Sequence, residues 1–182
     1  MTDTTTIKSN RKQWYALQVR SRHEKNVFQL LTRNGQSVSL PLINTWRQWS
    51  DRKKKVQLPL FRGYVFVEMN YESDRFEILN VPGAVRFVAL NGHPTPIPAK
   101  QMYWLDIIMQ EEVVTPQLEY PQGSTVQVIH GPLRGLEGQV VHEKSCSRLV
   151  VWFEAIMQGL AVDIDTAYLK PQSEKMQIGN MT

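Results

Sequence analysis

Apolar positions along the chain follow two different periods, and each change of period marks an element. Residues 14–19 (WYALQV) mix aromatic and β-branched side chains as a strand does. Val27, Leu30 and Leu31 then fall on one helical face. Ser21 and Glu24 stand before them at the separation of a capping box, and Asn34-Gly35 follows as a stop. Residues 61–67 (FRGYVFV) are too continuously apolar for a strand with one face in water, which predicts a strand covered on both sides. Two strand-like stretches flank Arg52, Lys53, Lys54 and Lys55, so this basic run is expected at a hairpin tip. A short helix over 74–80, a turn at Val81-Pro82-Gly83 and a strand over 84–90 come next. A helix over 100–110, with Met102, Leu105 and Met109 at helical spacing, completes the first part. This order describes a compact α+β sandwich.

Residues 111–121 contain two prolines and no sustained period, and they read as a linker. Beyond them the pattern is all-β. Val126 and Val128 alternate with polar neighbours, Gly131-Pro132 and the stretch from Gly135 to Gly138 make a turn-rich loop, and strands are expected over 139–142, 149–155 and 160–164. Such short, regular spacing is that of a small barrel. The fold class is therefore α+β: an amino-terminal sandwich with an antiparallel sheet, a linker, then a small all-β barrel. The expected boundaries are a tail over 1–13, a first domain over 14–112, a linker over 113–121, a barrel over 122–172 and a tail over 173–182.

Charge changes this picture by breaking its symmetry. The net charge of +4 is modest, but residues 11–62 hold twelve Lys/Arg against two acids, Glu24 and Asp51. Residues 63–112 hold three basic and seven acidic side chains, and residues 113–182 hold five and seven. One half-domain is thus suited to a polyanion and the remainder to other partners, unless the basic face serves only solubility. No apolar run approaches the roughly 20 residues needed to span a bilayer, and the polar start, MTDTTTIKSN, lacks a secretory apolar stretch. A single cysteine, Cys146, excludes an internal disulfide. A soluble cytoplasmic protein without a membrane partner is expected.

Two segments carry a family resemblance. Trp14-Tyr15 opening the first strand, together with Leu60-Phe61-Arg62-Gly63-Tyr64-Val65-Phe66-Val67, is similar to the amino-terminal domain of NusG proteins, an α/β sandwich. The usual Phe-Pro-Gly-Tyr of that strand is here Phe-Arg-Gly-Tyr. Val81-Pro82-Gly83-Ala84-Val85 and Pro96-Ile97-Pro98 fall where that family has similar short sequences. Residues 123–140 (GSTVQVIHGPLRGLEGQV) resemble a KOW motif, including Gly131, Gly135 and Gly138. The basic strand-to-helix loop from Arg20 to Lys25 is most similar to that of the specialised RfaH and UpxY paralogues, which act on long operons.

The resemblance implies an elongation and antitermination factor without a cofactor. Phe61, Tyr64, Phe66 and Leu90 would form the depression that receives the clamp helices of RNA polymerase, with ordinary core packing as the alternative for the aromatics. Arg20, Arg22, His23 and Lys25 would touch the non-template DNA strand, where guanidinium groups meet phosphates and a histidine stacks on a splayed base. The alternative for these four is a solvated helix start. Ser73, Asp74 and Arg75 lie where the family makes a second polymerase contact, although the usual hydroxyl-rich sequence is missing. Trp46, Arg47 and Trp49 beside the basic tip are another possible phosphate contact, against simple solubility. Ile156 and Met157, expected in an exposed barrel loop, would meet a small-subunit ribosomal protein or the termination factor Rho, unless that loop folds over its own barrel.

The residues themselves argue against an enzyme. The glycine-rich loop 131–138 lacks the Gly-Lys-Ser/Thr ending of a phosphate loop. His23, His93, His130 and His142 have no metal-ligand spacing, and Cys146 has no nearby partner of a nucleophile. The rival function is a ribosome-associated, RNA-binding KOW protein, which predicts its basic excess in the barrel rather than in the first domain.

Overall fold

The computed structural model describes residues 11–48, 53–110, 114–117, 123–143 and 146–172. In chain order the elements are β1 (Gln13–Val19), α1 (Glu24–Arg33), β2 (Ser37–Ser39), β3 (Leu42–Gln48), β4 (Lys53–Pro59), β5 (Tyr64–Met69), α2 (Tyr71–Leu79) and β6 (Ala84–Phe87). The short strands β7 (Ala89–Leu90), β8 (His93–Pro94) and β9 (Pro96–Ile97) lead into α3 (Ala99–Ile108). Then come β10 (Val114–Gln117), β11 (Ser124–Val128), β12 (Glu137–Glu143), β13 (Cys146–Phe153), β14 (Gln158–Ile164) and β15 (Leu169–Pro171). The chain divides into two compact units, the first made of Met1–Leu40 and Pro59–Met102, the second of Pro41–Leu58 and Tyr103–Thr182.

In the first unit β1 is the central strand. It pairs antiparallel with β5, β6 and β9, and β2 extends the sheet beyond β5. One face carries Tyr15, Leu17, Val19, Val65, Val67 and Met69. These pack with Val27 and Leu31 of α1 and Ile78 of α2 into one core. The helix stop at Asn34-Gly35 forms as the sequence predicts. Gly35 takes φ +78°, the Gln36 amide donates to Leu31 O and the Gly35 amide donates to Thr32 O, which is a Schellman closure.

Three local expectations are corrected. The strand expected over 61–67 begins only at Tyr64, because Gly63 at φ +81° turns Phe61-Arg62-Gly63 out of the ladder. The helix expected from residue 74 begins at Tyr71: Asn70 Oδ1 accepts from the Glu72 amide, and Asp74 Oδ2 accepts back from the Asn70 amide. The strand expected over 84–90 is split into β6 and the β7–β8 hairpin.

In the second unit β10, β14, β13, β12, β11 and β15 form a six-stranded antiparallel sheet in that order. Cross-strand register sets Arg148 opposite Asp163, and their side chains pair at 2.9 Å. Val128 exchanges backbone bonds with Leu136 and Gly135, which closes the glycine-rich loop between β11 and β12. The segment expected as a linker contributes β10. Pro116 is tolerated there because β10 is an edge strand. β3 and β4 pair as expected, but Lys53, Lys54 and Lys55, expected at a hairpin tip, lie in β4, and residues 49–52 lie outside the described residues.

Candidate functional site

Three turns meet at one end of the first unit's sheet. The first leaves β1 and enters α1. Arg20 O accepts from the His23 amide, closing a β-turn in which Arg22 takes φ +65°. A non-glycine residue in that region costs about 1–2 kcal/mol, so the surroundings must hold the turn in place. They do so from two sides. The Val19 amide donates to Gly63 O at 2.8 Å, and the Arg20 amide donates to Gly83 O at 2.9 Å. The second turn is thus Phe61-Arg62-Gly63, and the third is Val81-Pro82-Gly83.

Glu24 joins the first turn to the second. Its side chain is 6% exposed, and Oε1 accepts from the Gly63 amide at 2.8 Å. The capping box expected between Ser21 and Glu24 does not form. His23 is the N-cap, it makes no side-chain cap bond, and its Nδ1 lies 3.1 Å from Ser21 O. The Gly63 amide points inward and needs an acceptor there, so Glu24 serves the loop rather than its own helix. Replacing Glu24 by alanine leaves that amide unmatched and is expected to lower stability by about 1–3 kcal/mol. Glutamine, which keeps an oxygen at the same reach, should recover most of the loss in denaturant melts of both variants.

Arg20, Arg22, His23 and Lys25 are all exposed, as is Arg62. Of the four residues expected to face DNA, Arg20, Arg22 and His23 lie on this turn and Lys25 follows in the first turn of α1. Below them the ladder continues with Gln18 opposite Tyr64 and Ala16 opposite Phe66. These positions lie on the sheet face opposite the α1–α2 core. Tyr64 is half-buried there. Phe66 and Phe61 are wholly buried and meet edge to face at 5.6 Å. Of the four expected depression residues, Phe61, Tyr64 and Phe66 are neighbours. Leu90 is 52% exposed in the separate β7–β8 hairpin.

Ser73, Asp74 and Arg75 are engaged within α2. Ser73 Oγ donates to Asp74 Oδ1, Asp74 closes the Asn70 cap, and Arg75 pairs with Glu72 at 2.8 Å. The Arg75 guanidinium also stands 4.6 Å from the ring centre of Phe76, which is 64% exposed. Trp46 is exposed on β3. The side chain of Arg47 and all of Trp49 and Arg52 lie outside the described residues.

In the second unit the expected exposure of Ile156 is corrected. Its side chain is 5% exposed, at the end of the single 3-10 turn Glu154–Ile156. Met157 carries the exposure instead, at 62%, on a backbone of φ +52°. Among the described residues no three His, Cys, Asp or Glu converge as metal ligands, and no helix is long and apolar enough to cross a membrane.

Sequence reasoning missed the roles of Glu24 and Gly83. Glu24 fits the capping-box pattern equally well, and only tertiary contact distinguishes the two uses. Gly83 is visible as a turn residue, but its closeness to Val27 and His23 is not.

Comparison with known proteins bears on the family and the fold. Residues 12–105 match the family model described as NusG, transcription termination factor nusG. A transcription termination/antitermination protein NusG of Streptococcus pyogenes is 27% identical over 143 residues, covering 71% of this chain and 80% of that protein. A protein of the same name from Neisseria meningitidis is 29% identical over 154 residues, with 75% and 84% covered. The solved structure titled "Domain interaction in Thermotoga maritima NusG" covers 90% of this chain and 98% of its own. Its TM-score is 0.53 at 22% identity, a likeness of fold.

Proposed function

The chain belongs to the NusG family, and on that premise we propose that it rides on RNA polymerase with its first unit and holds the exposed non-template DNA strand with its basic turn. NusG-family proteins are transcription factors, and this chain acts as one rather than as an enzyme. The observation that carries the finer reading is the junction of the three turns. Arg20, Arg22, His23 and Lys25 project at the end of the strand pair whose next positions bear Tyr64 and Phe66. A protein docked through Tyr64 on the polymerase clamp would thereby present its cations toward the neighbouring transcription bubble. Docking of this kind bridges the polymerase cleft and disfavours pausing and termination, on those operons whose non-template strand the turn selects.

Tyr64 supplies the docking contact, with Phe61 and Phe66 supporting it from beneath and Leu90 as an outlying apolar contact. Ser73, Asp74 and Arg75 would form a second polymerase contact only by exchanging their partners within α2. The second unit recruits another protein, a small-subunit ribosomal protein or Rho, through the exposed Met157 above the buried Ile156. Residues 113–182 hold five basic side chains against seven acids, a poor grip for nucleic acid, which disfavours the ribosome-associated RNA-binding alternative.

Binding to a reconstituted elongation complex tests the reading. Tyr64→Ala is expected to weaken saturable binding tenfold or more, about 1.4 kcal/mol, with the fold intact. Absence of wild-type binding to complexes carrying several different non-template sequences would return the ribosome-associated function to first place.

A further inference from the structure

Arg62 is an exposed cation that the DNA-facing turn does not include, and the backbone bonds beside it fix where it stands. The last paired residues of β1 and β5 are Gln18 and Tyr64, and just beyond the ladder the Val19 amide donates to Gly63 O at 2.8 Å. Arg20 and Arg62 are the next residue on each side of that bond. Arg20 is fastened by its amide to Gly83 O, and Arg62 precedes the amide that Glu24 holds at 2.8 Å. Both backbones are therefore set before any ligand arrives.

Like charges carried on adjoining turns repel each other unless something neutralises them. Among the described residues neither Arg20 nor Arg62 has an ion-pair partner. The one buried acid nearby, Glu24, is already committed to the Gly63 amide. The arrangement leaves a concentrated positive site that no described residue neutralises by an ion pair.

We propose that Arg62 and Arg20 together clamp a backbone phosphate of single-stranded DNA, adding Arg62 to the strand-binding surface. This inference rests on the reading of the basic turn as DNA-facing. Paired guanidinium forks match the oxygens of a phosphate and donate to them bidentately, whereas a lysine offers only a point charge. A contact made to the backbone carries no base information. Arg62 therefore strengthens binding to all sequences equally and sets the register in which His23 and Arg22 meet the bases.

The test measures the salt dependence of binding of a dT oligonucleotide about 12 nucleotides long, the order of a single-strand site, to the full chain. Arg62→Gln should weaken binding severalfold at low salt and reduce the slope of log affinity against log salt by about 0.7, the value for one lost single-strand phosphate contact. Arg62→Lys should recover the slope but only part of the affinity. An oligonucleotide with neutral methylphosphonate linkages should abolish the difference between wild type and Arg62→Gln. Equal slopes, a difference that survives neutral linkages, or no wild-type binding of the dT strand at low salt would each overturn the phosphate clamp.

Elongation complexes separate this inference from the proposed function. If the Arg62→Gln defect persists in complexes assembled without the non-template strand, the arginine meets an acidic protein surface and the clamp is wrong. If wild type ignores elongation complexes yet grips the dT strand through Arg62, the clamp stands and the polymerase-riding reading falls.

Discussion

Truncation of Phe66 to alanine is expected to destabilise the chain by about 3–5 kcal/mol, one of the largest losses available to a single substitution in the first unit. The ring is wholly buried, meets Phe61 edge to face, and lies on the central strand pair opposite Ala16. Removing it leaves a void that neither neighbour can fill. Ala16 is too small, and Phe61 is held by the turn that Gly63 and Glu24 fix. Tyr64, two residues earlier on the same face, is only half-buried. Its truncation should cost far less stability while it weakens binding to the elongation complex. Parallel melts and binding curves on the two variants therefore separate packing from docking on one strand. If Tyr64→Ala unfolds the chain as readily as Phe66→Ala, Tyr64 is core and the docking surface lies elsewhere.

Gly83→Ala is the second large effect, expected at about 2–4 kcal/mol because two penalties act at once. At φ +99° a Cβ is strained whatever the space, as for other L residues at positive φ. That Cβ would also stand 3.0 Å from Val27 Cγ2 and 3.2 Å from His23 Cβ. Val27 is wholly buried in the α1 core and cannot retreat, so the neighbour that gives way is His23. Folding stability should fall, and binding of the dT oligonucleotide should fall beyond what the unfolded fraction explains. A melt unchanged within 0.5 kcal/mol, the usual scatter of surface substitutions, would mean that the third turn does not support the first.

These substitutions also mark where the sequence was sufficient. β1, the spacing of Val27 and Leu31, and the Asn34-Gly35 stop were legible because each depends on residues close in the chain. The strand-to-helix turn with its exposed arginines and His23 was legible for the same reason. The start of β5 was not, since an apolar Phe61 beside Tyr64 hides the left-handed Gly63 between them. Glu24 was misread because a capping box and a long-range acceptor need the same residue. Ile156 was misread because the pattern cannot distinguish an apolar residue on a loop from one folded beneath it. β10 was taken as linker because an edge strand tolerates a proline that a central strand would reject. In each case the deciding partner is distant in sequence.

The two edges of the second unit's sheet have a bearing on recruitment. β10 is four residues long and contains Pro116, while β15 is three residues long and ends in Pro171. Each proline removes an amide from a strand that is already short. Neither edge therefore offers the run of regularly spaced donors and acceptors onto which an extended peptide could zip as a seventh strand. Recognition by β-augmentation is disfavoured at these two edges, as is the edge-to-edge pairing that begins many aggregates. A protein that binds it must fit a shaped surface of loops and side chains, so its specificity depends on side-chain identity and not on main-chain pairing.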